Sequence, residues 1–236
     1  MIKNKPSGTK IVVLGGLGEV GKNMYCVMHG DDIVIIDAGV SFPESELMGV
    51  DYVLPDFTFL KENEDKIRAL LITHGHEDHI GSIPFLLQSI NIPAIYAPRH
   101  AKELIAVKLG DRNIRYDNLY AYTDDTKLKF GEIEVEFILI THSVPDSHGI
   151  CITTPDGRIV TTGDFKFDLT PIGPMADLYK MATLGHEGVD LLISDSTNAL
   201  NEGFSTSESK VDSALNEMFD LYPQQRINCA IISQIF

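Results

Sequence analysis

LLITHGHEDHIG (residues 70–81) begins as an apolar, strand-like run and then places three histidines and two acidic residues within six positions. His74 and His76 lie two residues apart in an extended segment, so both side chains can point the same way. Asp78 and His79 follow at once and can reach a second position close by. Imidazole and carboxylate ligands suit zinc or manganese better than calcium, which takes oxygen ligands. The stretch therefore predicts a metal-binding loop at the end of a buried strand.

Two later residues have the placement that further metal ligands require. His142 follows the apolar end of residues 132–141, and Asp164 follows the strand-like residues 158–162. Functional side chains of layered folds lie mostly on loops at one edge of a sheet. We therefore expect both residues to join the histidine loop.

Apolar residues recur along the chain in short strand-like and longer helical patterns, which indicates an α/β fold. The predicted strands are residues 10–14, 24–28, 33–37, 69–73, 132–141 and 189–194, the last of them buried. Residues 150–154 and 158–162 flank the turn Pro155-Asp156-Gly157 and predict a hairpin. Residues 82–89 and 101–109 have helical spacing.

Length and composition limit the class of protein. A chain of 236 residues with 44% hydrophobic residues suits one globular domain, or one domain and part of a second. The net charge of −15 argues against a general electrostatic clamp on nucleic acid, although bound divalent cations would dominate the potential of their own cleft. Cys26, Cys151 and Cys229 lie far apart in apolar segments and are expected to be reduced. With no long apolar run and no secretory pattern, we predict a cytoplasmic protein without a membrane partner.

Residues 16–21, GLGEVG, match the dinucleotide-binding pattern G-x-G-x-x-G, and Asp37 lies near the distance of a ribose-binding acid. That fingerprint requires a helix that begins at the glycines. Residues 22–28 instead contain β-branched and aromatic side chains and lead into a turn. A β-hairpin with a glycine-rich loop fits better, so we predict no dinucleotide site.

Several other polar residues are candidates for the site. Asp195 ends the run LLISD at the same predicted sheet edge, where it could orient ligands without binding metal. Asp146 and His148 lie in a turn-like segment before a glycine, which favours a loop-shaping or substrate-side role over ligation. His29, His100 and His186 have polar or helical contexts and are predicted to be solvated.

The sequence changes character after Asn198. Residues 205–208, STSE, match a helix capping box, and apolar residues then follow at helical spacing up to Tyr222. Residues 226–233 form one more strand-like run.

The order H-x-H-x-D-H after an apolar strand, then a strand-end histidine, then a strand-end aspartate resembles the metallo-β-lactamase superfamily. This resemblance implies an α/β fold of the metallo-β-lactamase αββα type, a sandwich of which the chain holds an incomplete first part. It assigns six ligands to two zinc ions, with manganese as an alternative, that hold and activate a water molecule: His74, His76 and His142 to one ion, Asp78 and His79 to the other, and Asp164 to both. Asp37, which ends IVIID, matches a residue that orients the ligands.

Longer phrases narrow the resemblance. GGLGEVGKNMY, THSVPDSHGI, TGDFKFDLTP and LLISDSTNA together resemble the β-CASP nucleases of the ribonuclease J family. The implied function is metal-dependent hydrolysis of RNA phosphodiester bonds in RNA processing and decay, 5′-to-3′ exonucleolytic with endonucleolytic cuts as a second mode. In that family a β-CASP domain is inserted into the lactamase domain, which implies a boundary between residues 1–204 and 205–236. The chain then matches the N-terminal part only, with reduced or no activity alone, and homo-oligomers or paralogue hetero-oligomers belong to the longer protein.

Two other functions remain open from the sequence. The chain could be another hydrolase of the superfamily, acting on a thioester, a lactone or a β-lactam. It could also be a non-catalytic subunit that serves assembly. The phrases THSVPDS and GDFKFD argue against the first alternative, and the complete set of ligand-type residues argues against the second.

Overall fold

A computed structural model describes residues 8–43 and 49–228 of the chain. The strands are β1 (Lys10–Gly15), β2 (Met24–His29), β3 (Asp32–Ile36), β4 (Ile67–Leu71), β5 (Ile95–Pro98), β6 (Leu119–Tyr122), β7 (Lys127–Phe130), β8 (Ile133–Leu139), β9 (His148–Thr154), β10 (Gly157–Thr161) and β11 (Leu191–Ile193). The helices are α1 (Thr58–Glu62), α2 (Glu77–Ile80), α3 (Ile83–Ser89), α4 (Arg99–Asp111), α5 (Leu178–Glu187) and α6 (Ser209–Leu221), with a short 3-10 helix at Glu64–Lys66.

The strands form two sheets. One has the order β1-β2-β3-β4-β5-β6, and the other has the order β11-β10-β9-β8-β7. In the first sheet β1, β2 and β3 are antiparallel, whereas β3 to β6 are parallel. In the second sheet only the pair β10 and β11 is parallel. Parallel neighbours place their carboxyl ends at one edge of the sheet, which is where functional loops collect.

Three layers of apolar contact hold the fold together. Between the sheets, Val34 and Ile36 of β3 pack with Phe137 of β8 and Ile150 of β9. Helices α1, α3 and α4 cover the outer face of the first sheet, and α5 covers the second through Leu184. The predicted αββα sandwich is therefore confirmed.

The long elements agree with the sequence predictions to within a few residues, and the hairpin of β9 and β10 is confirmed. The glycine-rich segment joins the antiparallel strands β1 and β2, as predicted, and no helix begins at its glycines. The prediction that residues 189–194 form a buried strand was wrong about burial. Leu191 and Leu192 are 41% and 59% exposed because β11 is the edge strand of its sheet.

The predicted capping box at residues 205–208 was also wrong. Helix α6 begins at Ser209, and the side chain of its N-cap residue, Glu208, forms no capping hydrogen bond. The backbone N–H of Glu208 is donated to a carboxylate oxygen of Asp168 instead, 2.8 Å away. Of the predicted strand at residues 226–233, residues 226–228 are not in a strand, and the remainder lies outside the described residues.

The histidine and cysteine predictions had mixed outcomes. His186 is exposed as predicted, but His100 is half-buried and His29 is only 5% exposed. His29 is buried because Thr9 and Asp156 approach it from distant parts of the chain. Cys26 and Cys151 are buried and free, as predicted, whereas Cys229 lies outside the described residues. Among the residues that the structure describes, no helix has both the length and the apolar character that a membrane span needs.

Candidate metal centre

The histidine loop follows β4 and is fixed by the segment that follows the neighbouring strand β3. Both strands are parallel, so their carboxyl ends lie side by side. Backbone N–H groups of Ala38 and Val40 donate to the carbonyl oxygens of His79 and Glu77, at 2.8 and 3.1 Å. The short helix α2 is thereby held against the β3 edge, which places its Asp78 and His79 in the site.

His142 and Asp164 reach the same place from the second sheet. Thr141, after β8, forms an antiparallel bridge with Lys166, which follows β10. Gly163 adopts a positive φ of 56°, and a Cβ there would lie 3.1 Å from the Thr73 Cβ. A glycine is needed at this position because the backbone both turns and approaches the histidine loop closely.

The first group of ligand-type atoms belongs to His74, His76, His142 and Asp164. His76 Nδ1 lies 3.1 Å from His74 Nε2 and 3.1 Å from His142 Nε2. Asp164 Oδ2 lies 3.9 Å from His74 Nε2 and 3.7 Å from His142 Nε2. Three imidazole nitrogens and one carboxylate oxygen therefore converge on one small volume.

The second group belongs to Asp78, His79 and the same Asp164. His79 Nε2 lies 3.5 Å from Asp78 Oδ2 and 3.3 Å from Asp164 Oδ1. Asp164 thus presents one carboxylate oxygen to each group. This sharing is compatible with a pair of neighbouring divalent cations.

Asp37 supports the ligands from behind. Its Oδ1 accepts the N–H of Thr73 at 2.8 Å, and its Oδ2 accepts the hydroxyl of Thr73 and lies 2.7 Å from His79 Nδ1. The residue is 2% exposed and has a positive φ of 56°. Its contact with Nδ1 leaves His79 Nε2 directed toward Asp78 and Asp164, and its role in orienting metal ligands stays a prediction.

Charges within the groups favour metal-binding protonation states. Burial lowers the pKa of His74 well below its ordinary value and lowers the pKa of His142 to about 4. Burial raises the pKa of Asp164, but His79, His142 and His76 together outweigh this effect, and the pKa falls to about 2. Neutral imidazoles and an ionised carboxylate are the forms that bind metal.

His79 differs from the other histidines. Burial lowers its pKa, but the carboxylates of Asp37 and Asp164 raise the pKa well above the ordinary value. Metal binding at this residue would therefore release a proton.

The residues present fit a pair of divalent cations. Asp78 Oδ1 is buried and has no hydrogen-bond partner among the described residues, although an ionised carboxylate oxygen rarely lacks one. The nitrogen and oxygen donors suit zinc and manganese alike.

The glycine-rich loop lies over one side of the centre. It borders a cavity of about 640 Å³. Residues that line this cavity include Leu17, Val20, Asp78, His79, Asp164 and Asp195. Leu17 and Val20 are 76% and 63% exposed at its rim.

The remaining candidates lie near the ligand groups without joining them. Asp195 accepts the N–H of Thr197 at 2.7 Å, and its charge acts to raise the pKa of His142 against the larger effect of burial. Its role in orienting ligands stays a prediction. His148 is buried, and its Nδ1 lies 2.8 Å from the carbonyl oxygen of Asp146, which has a positive φ of 58°. Both residues shape the turn that leads into β9.

Sequence reasoning missed one residue at the centre, Asn23, and one beside the histidine loop, Lys108. Asn23 contacts both Asp78 and His79. Lys108 of α4 forms an ion pair with the mostly buried Glu77. Nothing in the spacing of either residue points to the site, because each is brought there by tertiary packing.

Comparison with known proteins identifies the family. A family model described as the metallo-beta-lactamase superfamily matches residues 17–207. This chain belongs to the metallo-β-lactamase superfamily. Among its relatives, the chain is 47% identical over 236 residues to "Ribonuclease J 1" of Streptococcus pyogenes. That match covers 100% of this chain and 42% of that protein. It is 41% identical over 211 residues to "Ribonuclease J" of Mycoplasma pneumoniae, covering 89% of this chain and 37% of that protein.

The chain thus spans about two fifths of the length of these two relatives. A solved structure of a protein of unknown function from Enterococcus faecalis V583 resembles it with a TM-score of 0.69. That match covers 91% of this chain and 58% of the other at 16% identity, which supports the fold alone.

Proposed function

We propose that this chain carries the metal centre of a ribonuclease that hydrolyses RNA phosphodiester bonds. The observation that carries the proposal is the shared carboxylate of Asp164, whose two oxygens face two separate groups of ligand-type atoms. A single-metal site would not need this arrangement. The similarity to proteins named ribonuclease J supports RNA as the substrate.

We assign His74, His76 and His142 to one cation, Asp78 and His79 to the other, and Asp164 to both. When bound, two zinc or manganese ions would supply hydroxide at neutral pH and neutralise charge on the phosphate. The protein's own contribution is to hold the ligands in place. Asp37 fixes the ring of His79, and the bridge between Thr141 and Lys166 fixes His142 relative to Asp164.

The direction of cleavage and the setting of the protein are further parts of the proposal. From the resemblance we assign 5′-to-3′ exonuclease action with endonucleolytic cuts as a second mode, in cytoplasmic RNA processing and decay. The same resemblance is the basis for assembly as a homo-oligomer or a paralogue hetero-oligomer.

We also place a domain boundary between residues 204 and 205. The start of α6 at Ser209 supports this division, because α6 has no buried residue while α3, α4 and α5 each bury side chains against a sheet. Residues 205–236 would then begin a β-CASP domain.

The test compares substrates on one preparation. The protein is incubated with 5′-monophosphorylated RNA, with a chromogenic β-lactam and with a thioester, each before and after metal removal by a chelator. Because the chain spans about two fifths of its relatives' length, we expect RNA cleavage to be weak, to stop on metal removal and to return with zinc or manganese. Hydrolysis of the β-lactam or the thioester without RNA cleavage would replace the proposal with another hydrolase of the superfamily.

Two matched histidine variants complete the test. His76→Ala should reduce RNA cleavage to background, whereas His186→Ala, at an exposed histidine far from the centre in sequence, should not change it. Unchanged cleavage by His76→Ala would contradict the assignment of the metal centre.

A further inference from the structure

Asn23 lies at the end of the glycine-rich loop, directly before β2, and its backbone is fixed on both sides. Its N–H donates to the carbonyl oxygen of Asp78 at 3.0 Å, and its carbonyl oxygen accepts the N–H of Gly39 at 3.1 Å. These bonds do not involve the side chain. A substitution at residue 23 therefore leaves the backbone bonds of the loop available.

The side-chain amide of Asn23 points into the second ligand group. Its Nδ2 donates to the carbonyl oxygen of Asp78 at 3.1 Å and to Asp78 Oδ2 at 3.1 Å. The same nitrogen lies 3.0 Å from His79 Nε2. The carbonyl oxygen and the carboxylate Oδ2 of Asp78 can only accept hydrogen bonds, so the NH₂ end of the Asn23 amide must face them.

The hydrogen bond from Asn23 engages only one of the two oxygens of the Asp78 carboxylate. Oδ2 is held by Asn23, whereas Oδ1 is buried without a partner among the described residues. Carboxylates that bind metal are commonly held in this way, because hydrogen bonds from surrounding groups fix their orientation. The Asp78 side chain then loses its conformational entropy on folding, so that this entropy is not lost again when a metal binds.

We propose that Asn23 is a positioning residue for the second metal. Its amide fixes the Asp78 carboxylate relative to His79 Nε2, so that the second ligand group is assembled before a cation arrives. The inference rests on the proposed metal centre and adds to it a residue outside the ligand motifs. It assigns Asn23 no contact with the first group, so its loss should affect one cation only.

The test is a titration of the metal-free chain carrying Asn23→Ala with Zn²⁺, in the presence of a competing chelator of known affinity. Loss of a hydrogen bond that orients a metal ligand typically weakens binding by about 10- to 100-fold. We expect this weakening at the second equivalent of Zn²⁺, with the first equivalent bound as in the unsubstituted chain. ¹¹³Cd NMR of the cadmium-loaded protein should show one of two resonances shifted or broadened and the other unchanged.

Two controls separate this role from a merely structural one. Asn118→Ala removes a side-chain amide that also donates to a backbone carbonyl, that of Pro93 at 3.0 Å. Asn118 lies far from the centre in sequence, so this variant should bind both equivalents of Zn²⁺ normally. If Asn23→Ala still binds the first equivalent of Zn²⁺ tightly, its αββα fold is intact. If that variant does not fold, Asn23→Ser, which keeps a hydroxyl donor, should show the same selective weakening to a smaller extent.

The outcomes distinguish the two levels of the proposal. If the unsubstituted chain binds two equivalents and Asn23→Ala binds both equally well, the positioning role is wrong and the metal centre stands. Equal weakening of both equivalents by Asn23→Ala would also overturn the selective role. If the unsubstituted chain binds no metal, the centre itself is wrong, and the role of Asn23 is wrong with it.

Discussion

Replacing Asp37 by Asn tests how far one buried carboxylate organises the centre. Asn has nearly the same shape, and it tolerates the left-handed backbone at φ 56°, so the change adds little strain. The remaining carbonyl oxygen can still accept the N–H of Thr73. The hydroxyl of Thr73 has another acceptor available, because His74 Nδ1 lies 3.0 Å away. The bond that cannot be replaced is the one between His79 Nδ1 and Asp37 Oδ2, at 2.7 Å.

The expected cost follows from that single bond. A hydrogen bond to a charged group contributes about 1.5–3 kcal/mol net, so Asp37→Asn should lower the free energy of unfolding of the metal-free chain by this amount. The Asn NH₂ group also favours the tautomer of His79 with its proton on Nε2, the nitrogen assigned to metal. Affinity for the second metal should therefore fall by about 10- to 100-fold.

Urea unfolding measures the first effect, as a lower midpoint with an unchanged slope, and metal titration measures the second. Asp56→Asn is the matched control. Asp56 also accepts an N–H and a hydroxyl from one threonine, Thr58, but it is exposed, so its replacement should shift the midpoint less. Equal midpoints for Asp37→Asn and the unsubstituted chain, with unchanged metal affinity, would refute this account of Asp37.

Three further predictions concern the contacts that hold the short helix α2 and the start of α6 in place. Gly39→Ala should destabilise the chain by about 3 kcal/mol in urea unfolding, because the new Cβ would lie 1.5 Å from the carbonyl oxygen of Asp78. Gly110→Ala, in helix α4, places no atom within 4 Å of the new Cβ and should instead stabilise the chain by about 0.5–1 kcal/mol. Equal changes in stability for the two variants would contradict this explanation. Lys108→Met should lower stability at pH 7 by about 1–3 kcal/mol in the same assay, since it leaves the mostly buried Glu77 carboxylate without its cation; no change would show that this ion pair is dispensable. The hydrogen bond from the backbone N–H of Glu208 lowers the pKa of Asp168 to about 2. The ionised Asp168 carboxylate therefore stabilises the start of α6 fully above about pH 4, and this stabilisation is lost as the pH falls toward about 2. Hydrogen exchange at the first turn of α6 should show this loss in the unsubstituted chain but not in Asp168→Asn, and the same pH dependence in both would refute it.

The parts of the fold that could be predicted are those in which local pattern and burial coincide. The run before the histidine loop is apolar because β4 is covered on both faces, and Ile67, Leu70 and Leu71 are almost fully buried. Strand ends marked by histidine or aspartate could be recognised for the same reason, since a polar residue directly after a buried strand is conspicuous. Parallel pairing of β3 and β4 then brings Asp37 and the histidine loop together.

The parts that could not be predicted depend on distant neighbours. His29 appeared polar in context, yet Thr9 and Asp156 enclose it from positions 20 residues before it and more than a hundred after it. The strand β11 has an apolar sequence that indicates burial, and its exposure follows only from its place at the sheet edge. The short strands β5, β6 and β7 have four residues each, too few for a periodic pattern to stand out.

The most direct measurement of the central claim is a crystal structure of the zinc-loaded chain, with diffraction recorded on both sides of the zinc absorption edge. We expect two anomalous peaks about 3.5–4 Å apart, the spacing of two-metal hydrolytic sites. One peak should lie among His74, His76 and His142 and the other between Asp78 and His79, with one oxygen of Asp164 toward each. No peak at these side chains, or zinc bound only elsewhere on the protein, would contradict the account.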